Sequence, residues 1–277
     1  MKTLIVTADD FGVDVAVNEA VERGHREGIL TAASLMVGGK AAGDAVERAR
    51  RMPTLGVGLH LVLVEGRPTL PSEQVSRLID ATGNFRTDMV RSAVAMTFVP
   101  EARRQLAAEI EAQFAAFAAT GLPLDHVNAH KHFHLHPVIA ALMLKIGKRY
   151  GLKAARAPIE PRAVLKAIEP GAIIPQDPAT LWAKLIRHRL RMAGIATPDQ
   201  VFGLAWSGQM TADRVAALIA KLPNGVTEIY AHPAITDNWP GHAPGYRYAD
   251  EYAALLQPRD SLRQHGITLA RFADLAA

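Results

Sequence analysis

The chain has 277 residues, 49% of them hydrophobic, a formal net charge of +4 and no cysteine. That length and apolar content suit one α/β barrel of about 250 residues. The missing cysteines exclude disulfides, thiolate metal sites and thiol nucleophiles, and no Lys/Arg block marks a nucleic-acid surface.

Residues 3–8, TLIVTA, predict a buried strand, since the run is short, apolar and β-branched. A helix is expected over 14–28, ending in glycine, then a strand at 30–37, a helix at 41–52 and a strand at 55–63 that contains His60. The pattern loosens over 64–100. A long helix over 101–120 precedes the strand 124–130 and a helix at 137–150 with Pro137 in its first turn. Residues 152–158 predict a strand closed by proline. The proline-rich stretch 159–180 predicts an excursion over the barrel mouth. A basic amphipathic helix is expected at 180–194, with a short strand at 200–206, a helix at 211–222, a strand at 226–233, a helix at 249–257 and a last strand at 266–272. Strands alternating with helices imply parallel βα units, and no linker divides the chain, so one domain over 1–277 is expected. With no leader-like apolar stretch and no run of about 18 apolar residues, the expected setting is cytoplasmic.

Reactive groups of such folds gather at the carboxyl ends of the strands. Asp9 and Asp10 end the first strand, His60 lies late in the third, His130 ends LDHVNAH, Arg156 lies near the end of the next strand, and His232 ends EIYAH. Adjacent carboxylates on an extended chain point to opposite sides, so a division of labour is expected, with one binding metal and the other handling protons. The bland alternative is a helix-capping acid with a solvated neighbour. The run DHVNAHKHFHLHP (125–137) holds five histidines. On a strand His126, Asn128 and His130 share a face. His132 is a pocket candidate, while His134 and His136 stay unassigned. His232 is either a structural strand-end residue or a general acid, because imidazole titrates near neutral pH. The loop 237–248 carries Trp239, His242, Tyr246 and Tyr248, whose aromatic faces suit either a pocket wall or a long surface loop with partly buried rings. Trp239, Tyr246 and His132 are candidate substrate contacts.

TADDFG (7–12), VGLHLVLVEGRP (57–68), DHVNAHKHFHLHP (125–137), ARAP (155–158) and YAHP (230–233) together resemble the YdjC-like carbohydrate deacetylases. The form NAHKHFHLHP is most similar to the hopanoid-biosynthesis-associated (HpnK-type) branch of that family. The resemblance implies a single-domain irregular (β/α) barrel of the glycoside hydrolase/deacetylase type. It also implies metal-dependent removal of an N-acetyl group from an amino sugar, lipid-linked or in a short chito-oligosaccharide. By motif position, Asp10, His60 and His130 would hold the metal, Asp9 would be the base and His232 the acid. Family members with the cluster in the form H-x-D-S-H-H-H-x-H carry Asp where this chain has Asn128. Arg156 is expected either to orient Asp9 and keep it ionised or to form a plain surface salt bridge. Two imidazoles and a carboxylate suit zinc, with manganese, cobalt, nickel and magnesium left open.

The helix at 180–194 mixes Leu181, Trp182, Leu185, Ile186 and Met192 with Lys184, Arg187, Arg189 and Arg191. It suits either packing on the barrel or peripheral contact with an anionic inner-membrane surface. The oligomeric state stays open, a homodimer included. Competing readings are another metal-dependent barrel hydrolase (a phosphoesterase or amidohydrolase) and a non-catalytic sugar- or metal-binding barrel.

Overall fold

A computed structural model describes residues 1–172 and 179–275. In chain order the regular elements are β1 (Lys2–Phe11), α1 (Val15–Glu27), β2 (Ala32–Leu35), α2 (Ala42–Arg50) and β3 (Gly56–Leu61). Then come α3 (Met89–Phe98), α4 (Pro100–Ala119), β4 (Val127–Ala129), α5 (Pro137–Gly147), α6 (Arg162–Ile168) and α7 (Ala179–Met192). The chain continues through β5 (Gln200–Phe202), α8 (Ala212–Ala220), β6 (Gly225–Ala231), α9 (Tyr248–Leu255), α10 (Arg259–Gln264) and β7 (Ile267–Leu269).

The strands form one parallel, curled sheet in the order β4-β3-β2-β1-β6-β5. The beginning of β1 also pairs with β7, through Lys2–Leu4 against Ile267–Leu269, before β1 meets β2 at Thr7 and Ala8. The wall between β4 and β5 is irregular. The segment expected as a strand at 152–158 makes only single bridges, Val127 with Ala155 and Ala154 with Ala196. Pro158 closes it and Pro161 follows, and a residue without an N–H cannot extend a ladder. The Val201 amide then donates to Ile159 O at 2.9 Å, which links this segment to β5. This is the expected irregular α/β barrel.

Alternation along the strands separates two layers. Leu4, Val6 and Ala8 of β1 join the large outer core under the helices, while Ile5 packs inside the sheet with Ala32, Ala154 and Phe272. Asp14, not Asp9 or Asp10, caps α1, its Oδ1 accepting from the Ala16 amide at 2.9 Å. The ADD pair is thereby left for other work. Three helices fall where the sequence predicted none. In α3 the apolar Val90, Val94 and Phe98 face solvent, which blurs the helical period. α6 lies inside the expected excursion 159–180, of which 173–178 fall outside the described residues. α10 is a six-residue helix after Pro258. Among the described residues no helix is long and apolar enough to cross a membrane.

Candidate active site

The inner face carries small residues low in the barrel and polar ones near its mouth. In β3 this face reads Gly56, Gly58, His60. A Cβ at Gly58 would lie 2.5 Å from the His126 ring, so glycine is required for that histidine to enter the barrel. His126 stacks on Phe272, bonds Asp125 Oδ2 at 2.9 Å and meets Ser34 Oγ at 2.9 Å. It is a structural residue in the barrel interior. The register sets His60 beside Asn128 and Thr7 beside Tyr230.

Asn128 organises the next layer. Its Nδ2 donates to Asp9 Oδ1 at 3.0 Å and to Ser34 Oγ at 2.9 Å, which turns its carbonyl toward His60. His60 Nδ1 therefore donates to Asn128 Oδ1, at 2.6 Å. That tautomer leaves the His60 Nε2 lone pair facing Asp10 Oδ1 at 3.3 Å, and His130 Nδ1 lies 3.2 Å from the same oxygen. Asp10 Oδ1 is buried and accepts no hydrogen bond. Ligand atoms of Asp10, His60 and His130 all lie within 4.8 Å of one another. Three possible ligand atoms converging on one point, around a buried carboxylate oxygen with no hydrogen-bond partner, suit a bound cation. A metal-ligating histidine also typically donates its other ring N–H, as His60 does. The residues thus fit a divalent ion.

The expectation that Asp9 and Asp10 point apart needs a correction. Asp10 has φ 61, where the register of β1 against β2 shifts. This left-handed turn brings both carboxylates to one cleft, with different partners. Arg156 clamps Asp9 with Nη1 to Oδ2 at 2.6 Å and Nη2 to Oδ1 at 3.0 Å. The same guanidinium donates from Nε and Nη2 to Glu228 Oε1, at 2.9 and 2.6 Å, and lies 4.3 Å over the Tyr230 ring. Burial opposes ionisation of Asp9, but the Arg156 guanidinium outweighs it and holds the carboxyl far below its ordinary value.

His232 follows β6. The Glu251 carboxylate accepts from its backbone N–H and lies 3.7 Å from its Nδ1. Burial disfavours the imidazolium, yet Glu251 and the Asp10 and Asp9 carboxylates raise the His232 pKa to about 9. His132 Nε2 meets Tyr230 Oη at 2.9 Å, and burial with Arg156 nearby pushes His132 well below its ordinary pKa, so it is neutral. The two unassigned histidines are structural. His134 Nε2 donates to Arg156 O at 3.1 Å, and His136 Nε2 meets Thr97 Oγ1 at 3.0 Å.

Asp9, Asp10, His60, His130 and His232 line one cleft of about 660 Å³. That is the size of a small-molecule site. Trp239, Tyr246 and Tyr248, from the loop after β6 and the start of α9, form an aromatic wall. Tyr246 Oη meets Ser207 Oγ at 2.9 Å, while Trp239 Nε1 is buried without a partner. Among the described residues four non-glycines have left-handed backbone: Asp10, Glu65, Lys131 and His132. All four line this cleft. Such a conformation costs roughly 1–2 kcal/mol per residue.

Sequence reasoning brought Asp9, Asp10, His60, His130, Arg156, His232, His132, Trp239 and Tyr246 to this cleft or, for Arg156, directly behind it. It missed Glu228, Tyr230, Glu251, Ser34, Glu65 and Lys131. Glu228 carried a signal: a lone acid in the apolar strand VTEIYA, two and four residues before Tyr230 and His232, shares their face. Glu251 carried none, because it reads as a surface acid in the first turn of a helix.

The chain is similar to several known proteins. A carbohydrate deacetylase of Brevibacillus brevis is 44% identical over 149 residues, 53% of this chain, and the chain spans about half (56%) of that relative's length. The carbohydrate deacetylase of Homo sapiens is 31% identical over 303 residues, taking in 98% of this chain and 90% of that protein. The crystal structure of an Enterococcus faecalis V583 protein named for cellobiose-phosphate cleavage superposes with a TM-score of 0.76 at 24% identity, over 100% of this chain and 99% of that one. That likeness bears on the fold. The family described as YdjC-like protein matches residues 3–262, which include every polar residue of the cleft, and the chain belongs to that family.

Proposed function

We propose that the protein removes the acetyl group from an N-acetylated amino sugar, as a single domain spanning 1–277. The observation that carries this reading is the convergence of His60 Nε2 and His130 Nδ1 on the buried, unpartnered Asp10 Oδ1, with Asp9 beside it. Its named relatives are carbohydrate deacetylases. A divalent ion, zinc by ligand type, would polarise the acetyl carbonyl and lower the pKa of a water.

The remaining chemistry belongs to side chains. Asp9 accepts the proton of the attacking water. Its Oδ1 already accepts two hydrogen bonds and Oδ2 one, so Oδ2 keeps the free lone pair. Arg156 positions this carboxylate and keeps it anionic. His232, protonated with the support of Glu251, donates to the departing amine. Trp239, Tyr246 and His132 contact the sugar. Among the described residues there is one three-ligand cluster, which favours this scheme over a two-metal phosphoesterase. Acetate release from N-acetylglucosamine, diacetylchitobiose and an N-acetylglucosaminyl lipid tests it. Activity is expected that a chelator abolishes and zinc restores; chelator-insensitive release, or phosphate release from phosphoesters instead, would refute it.

Asn128 sets the His60 tautomer, so Asn128→Ala is expected to weaken metal retention by about 10–100-fold. Metal content against free-metal concentration measures this.

A lipid-linked substrate, the hopanoid type among them, is favoured by α7. Its inner residues Ala183, Ile186 and Leu190 are buried, yet Leu181 and Met192 are each 76% exposed, beside exposed Trp182, Lys184 and Arg189. We propose that this face meets an anionic membrane surface from the cytoplasmic side. Pelleting with anionic vesicles is expected at low salt and is weakened by Trp182→Ala with Leu181→Ser. Equal pelleting of the double variant would remove α7 from this role.

A further inference from the structure

The mouth of the cleft holds one pair that the acetyl-transfer scheme leaves without work. Glu65 follows β3 and Lys131 follows β4, and their side chains form an ion pair across the two loops. Both line the cleft. Their side chains are 35% and 43% exposed, against 19% for His130, so they sit at the rim above the metal-ligand cluster. Both hold left-handed backbone, at φ 46 and φ 52. Of the four non-glycine residues so strained among the described residues, Asp10 belongs to the metal-ligand cluster and His132 to the Tyr230 contact. Glu65 and Lys131, the other two, meet each other across the cleft mouth. Strain held at a ligand clamp is a recurring use of such conformations.

The strand order places β3 and β4 on one side of β1 and β6 and β5 on the other. The cleft therefore has a charged rim from the β3 and β4 loops and an aromatic wall from the loop after β6. A charged pair held side by side offers an acceptor carboxylate and a donor ammonium at once. That combination suits neighbouring hydroxyl groups, which both donate and accept. An anionic substituent suits it less, since it would have to displace Glu65 from Lys131.

We infer that Glu65 and Lys131 form a subsite for a neutral, polyhydroxylated unit attached to the acetamido-bearing sugar, and so set the preference for extended over single-ring substrates. This rests on the deacetylase reading above. Glu65→Gln removes the charge and keeps the shape, and it stands away from His130, whose neighbour Lys131 is a less clean target. With diacetylchitobiose, Glu65→Gln is expected to raise KM by about 10–100-fold, the loss of one or two charge-assisted hydrogen bonds. Its kcat and metal content should stay within about threefold of the wild type. Glu65→Asp should recover part of the loss. With N-acetylglucosamine the loss in kcat/KM should be at least fivefold smaller than with the disaccharide. Equal losses on both substrates, a KM within twofold of the wild type, or a fall in kcat together with metal loss would overturn the inference. Absence of acetate release by the wild type from any N-acetylated sugar would instead defeat the deacetylase reading.

Discussion

Alanine in place of Asp10, His60 or His130 is expected to lower deacetylation by on the order of 10³-fold or more, together with loss of bound metal. The three differ in what else they disturb. His130→Ala removes a half-buried ring, so the fold should hold. His60→Ala also orphans Asn128 Oδ1, which accepts from His60 Nδ1 at 2.6 Å. Asp10→Ala removes the ligand carboxylate and puts alanine at φ 61, a conformation that aspartate tolerates better. Asp10→Asn separates the two roles, because it keeps the shape and weakens the ligand. Metal stoichiometry and acetate release, measured on the same preparations, check this. Stoichiometric metal in all three alanine variants would refute the assignment.

The second large effect is on stability. Arg156→Met is expected to destabilise the protein by about 3–5 kcal/mol, because it leaves buried carboxylates without their cation. Asp9 is 2% exposed, and Glu228 is fully buried, with Oε2 already unpartnered. Urea unfolding of the variant measures the loss. The pH dependence follows by sign. In the wild type Asp9 is depressed below its unfolded value of 3.8, so its contribution is complete above that pH and fades as acid is added below it. In the variant, burial acts on Asp9 with its main counter-charge gone and raises its pKa. The deficit against the wild type should therefore be largest near neutral pH and narrow as the pH falls. A deficit below about 1 kcal/mol, or one that widens in acid, would show that the clamp does not carry this burden.

Much of the barrel was legible because burial follows short periods. The strand at 3–8, the helix at 14–28 and the strand at 226–233 all appear close to where the residue pattern put them. The failures share a cause. Residues 152–158 are apolar enough for a strand, but proline and its neighbours allow only isolated bridges. α3 escaped because its valines and Phe98 face solvent, against the rule that a helix hides its apolar side. The strand over 124–130 is shortened to Val127–Ala129, and Lys131 and His132, which turn left-handed directly after His130, set its carboxyl end.

Of the five histidines in DHVNAHKHFHLHP, only His130 joins the metal-ligand cluster. His126 supports the barrel interior, His132 meets Tyr230, and His134 and His136 hold backbone and helix contacts. The spacing in sequence could say which of them shared a strand face, not which ones met a partner.

By itself the sequence determined the alternation of strands and helices, the absence of thiol chemistry, and the gathering of Asp9, His60 and His232 at strand ends. Those are local properties, set by periodicity and by the residue types each position admits. Tertiary structure alone decided the partners. Asn128 reaches Asp9 across 119 residues and Arg156 reaches Asp9 across 147. Such meetings depend on strand order and register, which emerge only when the sheet curls. The same holds for the turn at Asp10 and for the rim pair of Glu65 and Lys131. Their left-handed backbone is unfavourable locally and persists because the surrounding loops and the cleft hold it.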